Sequence, residues 1–282
     1  MSMMLAIREA EKEAERVLED HQLSELPICP FHIADKVGIV VAQKAATSRG
    51  VSGFLMRVGD TFGIMYATHI VNEGFIRFTV AHELGHYFIP GHAEQLFPNG
   101  DGLHQSRSGF VSDDLVERQA DYFASSLLMP ESLFKRVMRR CGQGLPAIQT
   151  LADTCKTSLT ATAIRYAKFT DDPIAVVVST GARIDYCIMS DTIRELKGTT
   201  WIKKGDPVPA DTATAEFNGD PDNVSGAETA EGSSYLDDWF DGAPQVEMNE
   251  DVVGLGAYGK TLTVLYAEEW PDEEDDGEDE DG

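Results

Sequence analysis

Between Ile7 and Asp20 apolar residues recur at helical spacing among charged ones, which predicts an amphipathic N-terminal helix. Three short β-type runs follow, Val40 to Ala42, Gly53 to Arg57 and Thr61 to Tyr66. Helical periodicity returns from Phe78 to Phe88 and again from Leu115 to Pro130, where the proline closes the unit. Residues 131–170 read as short helices, with Ala147 to Thr154 and Leu159 to Phe169 separated by a turn in which Ser158 is a plausible N-cap. The pattern then becomes strand-like at Ile174 to Ser179, Ala182 to Met189 and Gly259 to Ala267, predicting a separate small sheet. Residues 206–251 are rich in Gly, Pro, Asp, Ala and Ser and read as a long acidic loop with local order near Tyr235 to Phe240. The expected class is α+β, divided as 1–130, 131–170, 171–267 and an acidic, disordered tail at 268–282.

The helix at Phe78–Phe88 carries His82, Glu83 and His86 in the order H-E-x-x-H. A helix advances about 100° per residue, so His86 stands about 40° from His82, one turn along the same face, and two imidazoles address one metal ion. Glu83 projects about 60° from His86, placed to move a proton without being a ligand. The opposite face carries Val80, Leu84 and Tyr87, with Phe88 beside them, so the helix is expected to pack on a core and line a cleft with its other side. Gly85, flanking the histidines, lets another backbone approach closely.

Catalytic zinc takes three protein ligands and keeps a fourth position open, so two histidines need one more donor. The helix from Leu115 supplies it in Glu117, and one turn further on Asp121 fits the carboxylate that orients a ligating histidine by accepting from its far nitrogen. A peptidase also needs a donor for the oxyanion, for which His92, His104, Tyr87 and Tyr122 are the candidates.

The pairing of Arg77-Phe78-Thr79-x-Ala81-His82-Glu83-Leu84-Gly85-His86 with Glu117-x-x-Ala120-Asp121-x-Phe123-Ala124-x-x-Leu127-Leu128-Met129-Pro130 resembles the ImmA/IrrE family of metallopeptidases. The likeness extends upstream through Pro30 to Ile39 and Ser52 to Leu55, and downstream through Thr157 to Tyr166, covering roughly residues 25 to 170. It implies a minimal zincin-like domain at 1–130 followed by a helix-turn-helix-like connector. It also implies His82, His86 and Glu117 as metal ligands, Glu83 as acid/base and Asp121 as the outer partner of a histidine. The implied substrate is a helix-turn-helix transcriptional repressor, cleaved to de-repress stress-response or mobile-element genes. Zn²⁺ is the expected ion, with Mn²⁺ also suited to a His-His-Glu set.

Charge sharpens the picture. Of the net −25, eleven acids lie in 268–282 and thirteen in 206–251, neither segment containing Lys or Arg, so the rest of the chain carries only −1. Residues 131–170 form a basic island of +5, from Lys135, Arg136, Arg139, Arg140, Lys156, Arg165 and Lys168 against Glu131 and Asp153. The negative field of the whole chain disfavours direct DNA binding, and the island reads as an ordinary helical surface. The competing reading of the whole protein is a non-catalytic module that binds a regulator or DNA on a zincin scaffold. No apolar run approaches the ~18 residues of a membrane span, and four cysteines without C-x-x-C spacing suit a reduced, cytoplasmic protein.

Overall fold

A computed structural model describes residues 3–45, 50–68, 72–107 and 112–270. The acidic tail expected to be disordered lies, from residue 271 onward, outside the described residues. The chain forms two compact units, one up to Cys141 together with Gln149–Thr162, the other Gly142–Ile148 together with the chain from Ala163 onward. The first unit comprises α1 (Met3–Asp20), α2 (Pro30–Lys36), β1 (Val40–Lys44), β2 (Gly53–Val58), β3 (Thr61–Ala67), α3 (Glu73–Phe88), α4 (His92–Leu96), β4 (Gly102–Ser106), α5 (Leu115–Leu128) and α6 (Glu131–Met138). The division passes through the next two helices, α7 (Gly144–Cys155) and α8 (Leu159–Phe169).

The sheet of the first unit has the order β1-β3-β2-β4, with β1 parallel to β3 and the other pairs antiparallel. The pairing Gly53↔Ser106 and Leu55↔His104 puts Gly53, Leu55, His104 and Ser106 on one face, because residues two apart along a strand point the same way. That face meets α3: Phe62 on β3 packs edge-on against Tyr87, ring centroids 5.2 Å apart. The sequence showed β1 to β3, but β4 was not anticipated.

Helix α3 starts where the Asn72 side chain accepts from the Phe75 amide, 2.9 Å, and ends before Pro90, which cannot continue it. All ten residues from Arg77 to His86 are buried, so this stretch of α3 is closely covered. Enclosure follows from its neighbours, the sheet on one side and α5 on another. Gly85 is the contact point: a Cβ there would stand 3.1 Å from the Ala120 Cα and 3.1 Å from the Phe123 ring. Helix α5 starts at Asp114, whose carboxylate accepts from the Val116 amide at 2.9 Å. On α1 the buried residues Ala6, Ala10 and Ala14 recur every four positions, a stripe of small side chains along one face.

The second unit holds β5 (Ile174–Thr180), β6 (Arg183–Met189), α9 (Asp191–Arg194), α10 (Ala213–Asn218), α11 (Pro221–Ser225), β7 (Thr229–Tyr235), α12 (Leu236–Trp239), β8 (Glu247–Gly254) and β9 (Thr261–Tyr266), with an antiparallel sheet in the order β6-β5-β9-β8-β7. Its core gathers Ala175, Val177, Leu236, Trp239, Phe240, Met248 and Leu265. The expected long loop at 206–251 is therefore corrected: it contains three short helices and two paired strands. Composition misled because β7 is a mostly exposed edge strand of Thr, Ala, Glu, Gly and Ser, held by its ladder to β8 and not by apolar side chains. Among the described residues no helix is long and apolar enough to cross a membrane.

The Gly85–Ala120 approach gives a direct prediction. Replacing Gly85 with Val should destabilise the fold by about 1–3 kcal/mol, the usual cost of overpacking, read as a lower urea midpoint by circular dichroism. An unchanged midpoint would mean that α3 and α5 are not held together at this point.

Candidate metal centre

Helix α3 presents His82 and His86 one turn apart, with their Nε2 atoms 3.1 Å from each other. From α5, Glu117 closes the triangle: its Oε2 lies 3.4 Å from His82 Nε2 and its Oε1 3.3 Å from His86 Nε2. His82, His86 and Glu117 form the group of donors in the described residues that could hold a metal ion. Four ligands at about 2.0–2.1 Å around a tetrahedral ion lie about 3.3–3.4 Å apart, so the three separations suit a cation without rearrangement.

Each histidine has a partner on its outer nitrogen. His82 Nδ1 is 2.8 Å from Asp121 Oδ1, so the ring donates there and turns Nε2 toward the centre, where a bound cation would take the place of its proton. His86 Nδ1 is 3.2 Å from His92 Nδ1, a residue that the Ile89–Gly91 turn folds back over it. His104, on β4, reaches Glu117 Oε1 with its Nε2 at 2.8 Å. Asp114, three residues earlier in the sequence, serves the helix cap and leaves the Glu117 side chain to the histidines.

Glu83 differs from all of these. It is fully buried, and neither of its carboxylate oxygens has a hydrogen-bond partner among the described residues. Room for it exists because β2 has a glycine opposite: a Cβ on Gly53 would stand 2.2 Å from Glu83 Oε1. Burial pushes the Glu83 carboxyl up to about 7, with the charge of His82 and the nearby Ser106 hydroxyl pulling the other way. Ser106 lies close enough to act electrostatically but not in hydrogen-bonding geometry, since its own Oγ is unpartnered too. Burial would also raise Glu117, yet contacts from His104, His82 and His86 hold it far below the usual carboxylate range. His86 is lowered to about 3 by burial, with the Glu117 contact opposing. For His82 burial pulls downward, but Asp121 and Glu117 outweigh it and raise the ring to about 10.

Of the candidate oxyanion donors, His104 is partly exposed and touches Glu117, whereas His92 is buried with both ring nitrogens engaged behind His86. Tyr87 packs on Phe62 and Phe88, and Tyr122 sits half-buried beside Asp121 on α5. Sequence reasoning did not single out Gly53, Ser106 or Gln119. The Ser52-Gly53 pair at a strand start was the one local signal for the first.

Two helix-borne histidines and a glutamate from a second helix form a cluster that could hold a metal ion, with a second, unpartnered glutamate beside them. Residues 34–166, a little under half of the chain, match the family model for the IrrE N-terminal-like domain, peptidase M78. The chain is similar to the radiation response metalloprotease IrrE of Deinococcus radiodurans, 27% identical over 157 residues, which are 49% of this chain and 46% of that protein. The chain thus spans about half the length of the curated relative it matches. Its fold is similar to that of a Mycobacterium tuberculosis transcriptional regulator, with a TM-score of 0.57 at 13% identity over 95% of this chain and 82% of that one.

The buried, unpartnered Glu83 should cost stability in the metal-free protein. Its folded pKa, about 7, lies above the ordinary 4.5, so the folded state holds the proton longer and stability falls as pH rises through that window. At pH 8, Glu83→Gln should stabilise the metal-free protein by about 1–3 kcal/mol, and the gain should shrink at pH 5. Thermal melts at the two pH values check the sign, and equal melts at both would contradict it.

Proposed function

We propose that the protein is a zinc-dependent endopeptidase that cleaves a helix-turn-helix transcriptional repressor in the cytoplasm, relieving repression of stress-response or mobile-element genes. The observation that carries the peptidase reading is the His82–His86–Glu117 triangle with an unpartnered Glu83 carboxylate beside it. The repressor class rests on the family likeness and on the relative's role in a radiation response. Zinc is the ion proposed because two histidines and a carboxylate with an open position are the usual donor set of catalytic zinc.

A divalent cation held by His82, His86 and Glu117 supplies Lewis acidity that polarises the scissile carbonyl and acidifies a water. Glu83 does the proton work. Its raised pKa matches a group that takes a proton from the attacking water near neutral pH and returns it to the leaving amine as the C–N bond breaks. Asp121 orients His82 through its Nδ1, His104 braces Glu117, and we assign His104, the more exposed of the two candidate histidines, as the oxyanion donor. Gly53 keeps the strand clear of the Glu83 carboxylate.

Zinc-loaded protein incubated with a panel of purified helix-turn-helix repressors from the same source should cut one of them at a single site. Glu83→Gln should keep about one equivalent of zinc by elemental mass spectrometry while losing about 10²–10⁴-fold in cleavage rate. Glu117→Ala should lose the metal. A fully active Glu83→Gln protein would overturn the catalytic assignment, and intact repressors throughout the panel would overturn the substrate class.

A further inference from the structure

Behind His86 lies a chain of buried polar groups that the peptidase reading does not use. His86 Nδ1 meets His92 Nδ1 at 3.2 Å, His92 Nε2 meets Gln119 Oε1 at 3.4 Å, and Gln119 Nε2 donates to the Ala6 carbonyl at 3.1 Å. His86 is fully buried, and His92 and Gln119 are 4% and 6% exposed, so bulk water does not substitute for these partners. The chain starts on α3, passes through the first residue of α4 and a residue of α5, and ends on the backbone of α1.

Only one end of this chain has its proton arrangement fixed by covalent structure. A backbone carbonyl accepts and cannot donate, so the Gln119 atom facing Ala6 is the amide nitrogen and the atom facing His92 is the oxygen. That oxygen demands a donor, which places the His92 proton on Nε2. A neutral His92 then carries its lone pair on Nδ1, and His86 must donate to it from Nδ1. The only lone pair left on His86 is on Nε2, the atom that faces His82 and Glu117.

We infer that His92 and Gln119 are positioning residues that carry a tautomer instruction from the Ala6 carbonyl of α1 to His86, setting its Nε2 free for the metal. This rests on the ligand reading of His86 given above and adds to it a device for the second histidine. His82 receives the same instruction from a carboxylate, Asp121, directly. His86 receives it through two neutral groups. Outer partners of this kind are worth about 10–100-fold in metal affinity.

The test uses the full-length protein and Zn²⁺ as the probe, with His92→Phe and the near-isosteric Gln119→Leu beside wild type. Two readouts are taken: zinc affinity by competition with a chromophoric chelator, and long-range ¹⁵N–¹H imidazole spectra of the metal-free protein, which report each ring's tautomer. Wild-type His86 should show a protonated Nδ1 and a bare Nε2. Both variants should show mixed tautomers at His86, an unchanged His82, and zinc binding weakened about 10–100-fold. If His92→Phe does not fold, Gln119→Leu decides alone. A single unchanged His86 tautomer in the variants would overturn the inference, while wild-type zinc binding that is abolished by Glu117→Ala would still uphold the site. A wild type that binds no zinc would sink the ligand reading, and the metal-free spectra would still decide whether Ala6 sets the His86 tautomer.

Discussion

The centre depends on how closely α3 and α5 approach at Gly85 and Ala120. A glycine on one helix meets the backbone of an alanine on the other, so closely that an added methyl group would fit only if its neighbours shifted by a few tenths of an ångström. Glu117 stands three residues before Ala120 and Asp121 one after, so fixing that crossing point fixes where both carboxylates fall relative to the histidines. On a helix whose side chains lean toward its N-terminus, a small lateral shift would carry Glu117 out of reach of both Nε2 atoms. The close packing thus converts two separate helical patterns into one triangle of donors. Gly53 does the same from the sheet side, allowing β2 to pass Glu83 without a side chain between them.

What could be read from the sequence follows from what is local. The i,i+4 histidines and the neighbouring glutamate lie on one helix, and their geometry follows from the helical repeat alone. Glu117 and Asp121 share a face for the same reason, so their position beside the histidines was legible once a third donor was sought. His92, Gln119 and Ala6 come together across 113 residues of sequence, from Ala6 to Gln119, and no periodicity links them. The same holds for β4, a five-residue strand with a polar, mostly exposed pattern that becomes a strand through its register with β2. In the second unit, Thr212 and Asp220 cap short helices and β7 pairs along β8, so a stretch that is loop-like in composition acquires its order from hydrogen bonds. Composition measures what apolar burial can supply, and this segment draws on the ladder instead.

The two glutamates of the centre show how identical side chains acquire opposite properties. Both are removed from water, a cost that raises a carboxyl pKa. Glu117 offsets it with three histidine contacts and stays anionic, as a ligand must. Glu83 has no such partner and is held near the pH at which proton transfer in both directions is favourable. The instability of a buried, unpaired carboxylate is therefore the same property that would fit it to act as a base.

The difference between the partners of the two histidines bears on the electrophilicity of the centre. With Glu83 ionised, the carboxylates around the site are Glu83, Glu117 and Asp121, three negative charges around the position that a divalent cation would take. A fourth carboxylate behind His86 would orient that ring as Asp121 orients His82, but it would add negative charge beside an ion whose function is to withdraw electrons. The neutral sequence of His92, Gln119 and a backbone carbonyl orients the ring without that addition. It does so at the cost of a longer and weaker chain, 3.2 and 3.4 Å against the 2.8 Å of the His82–Asp121 contact. Orientation and charge are in this way set separately for the two histidines, one by an anion on α5, the other by the backbone of α1.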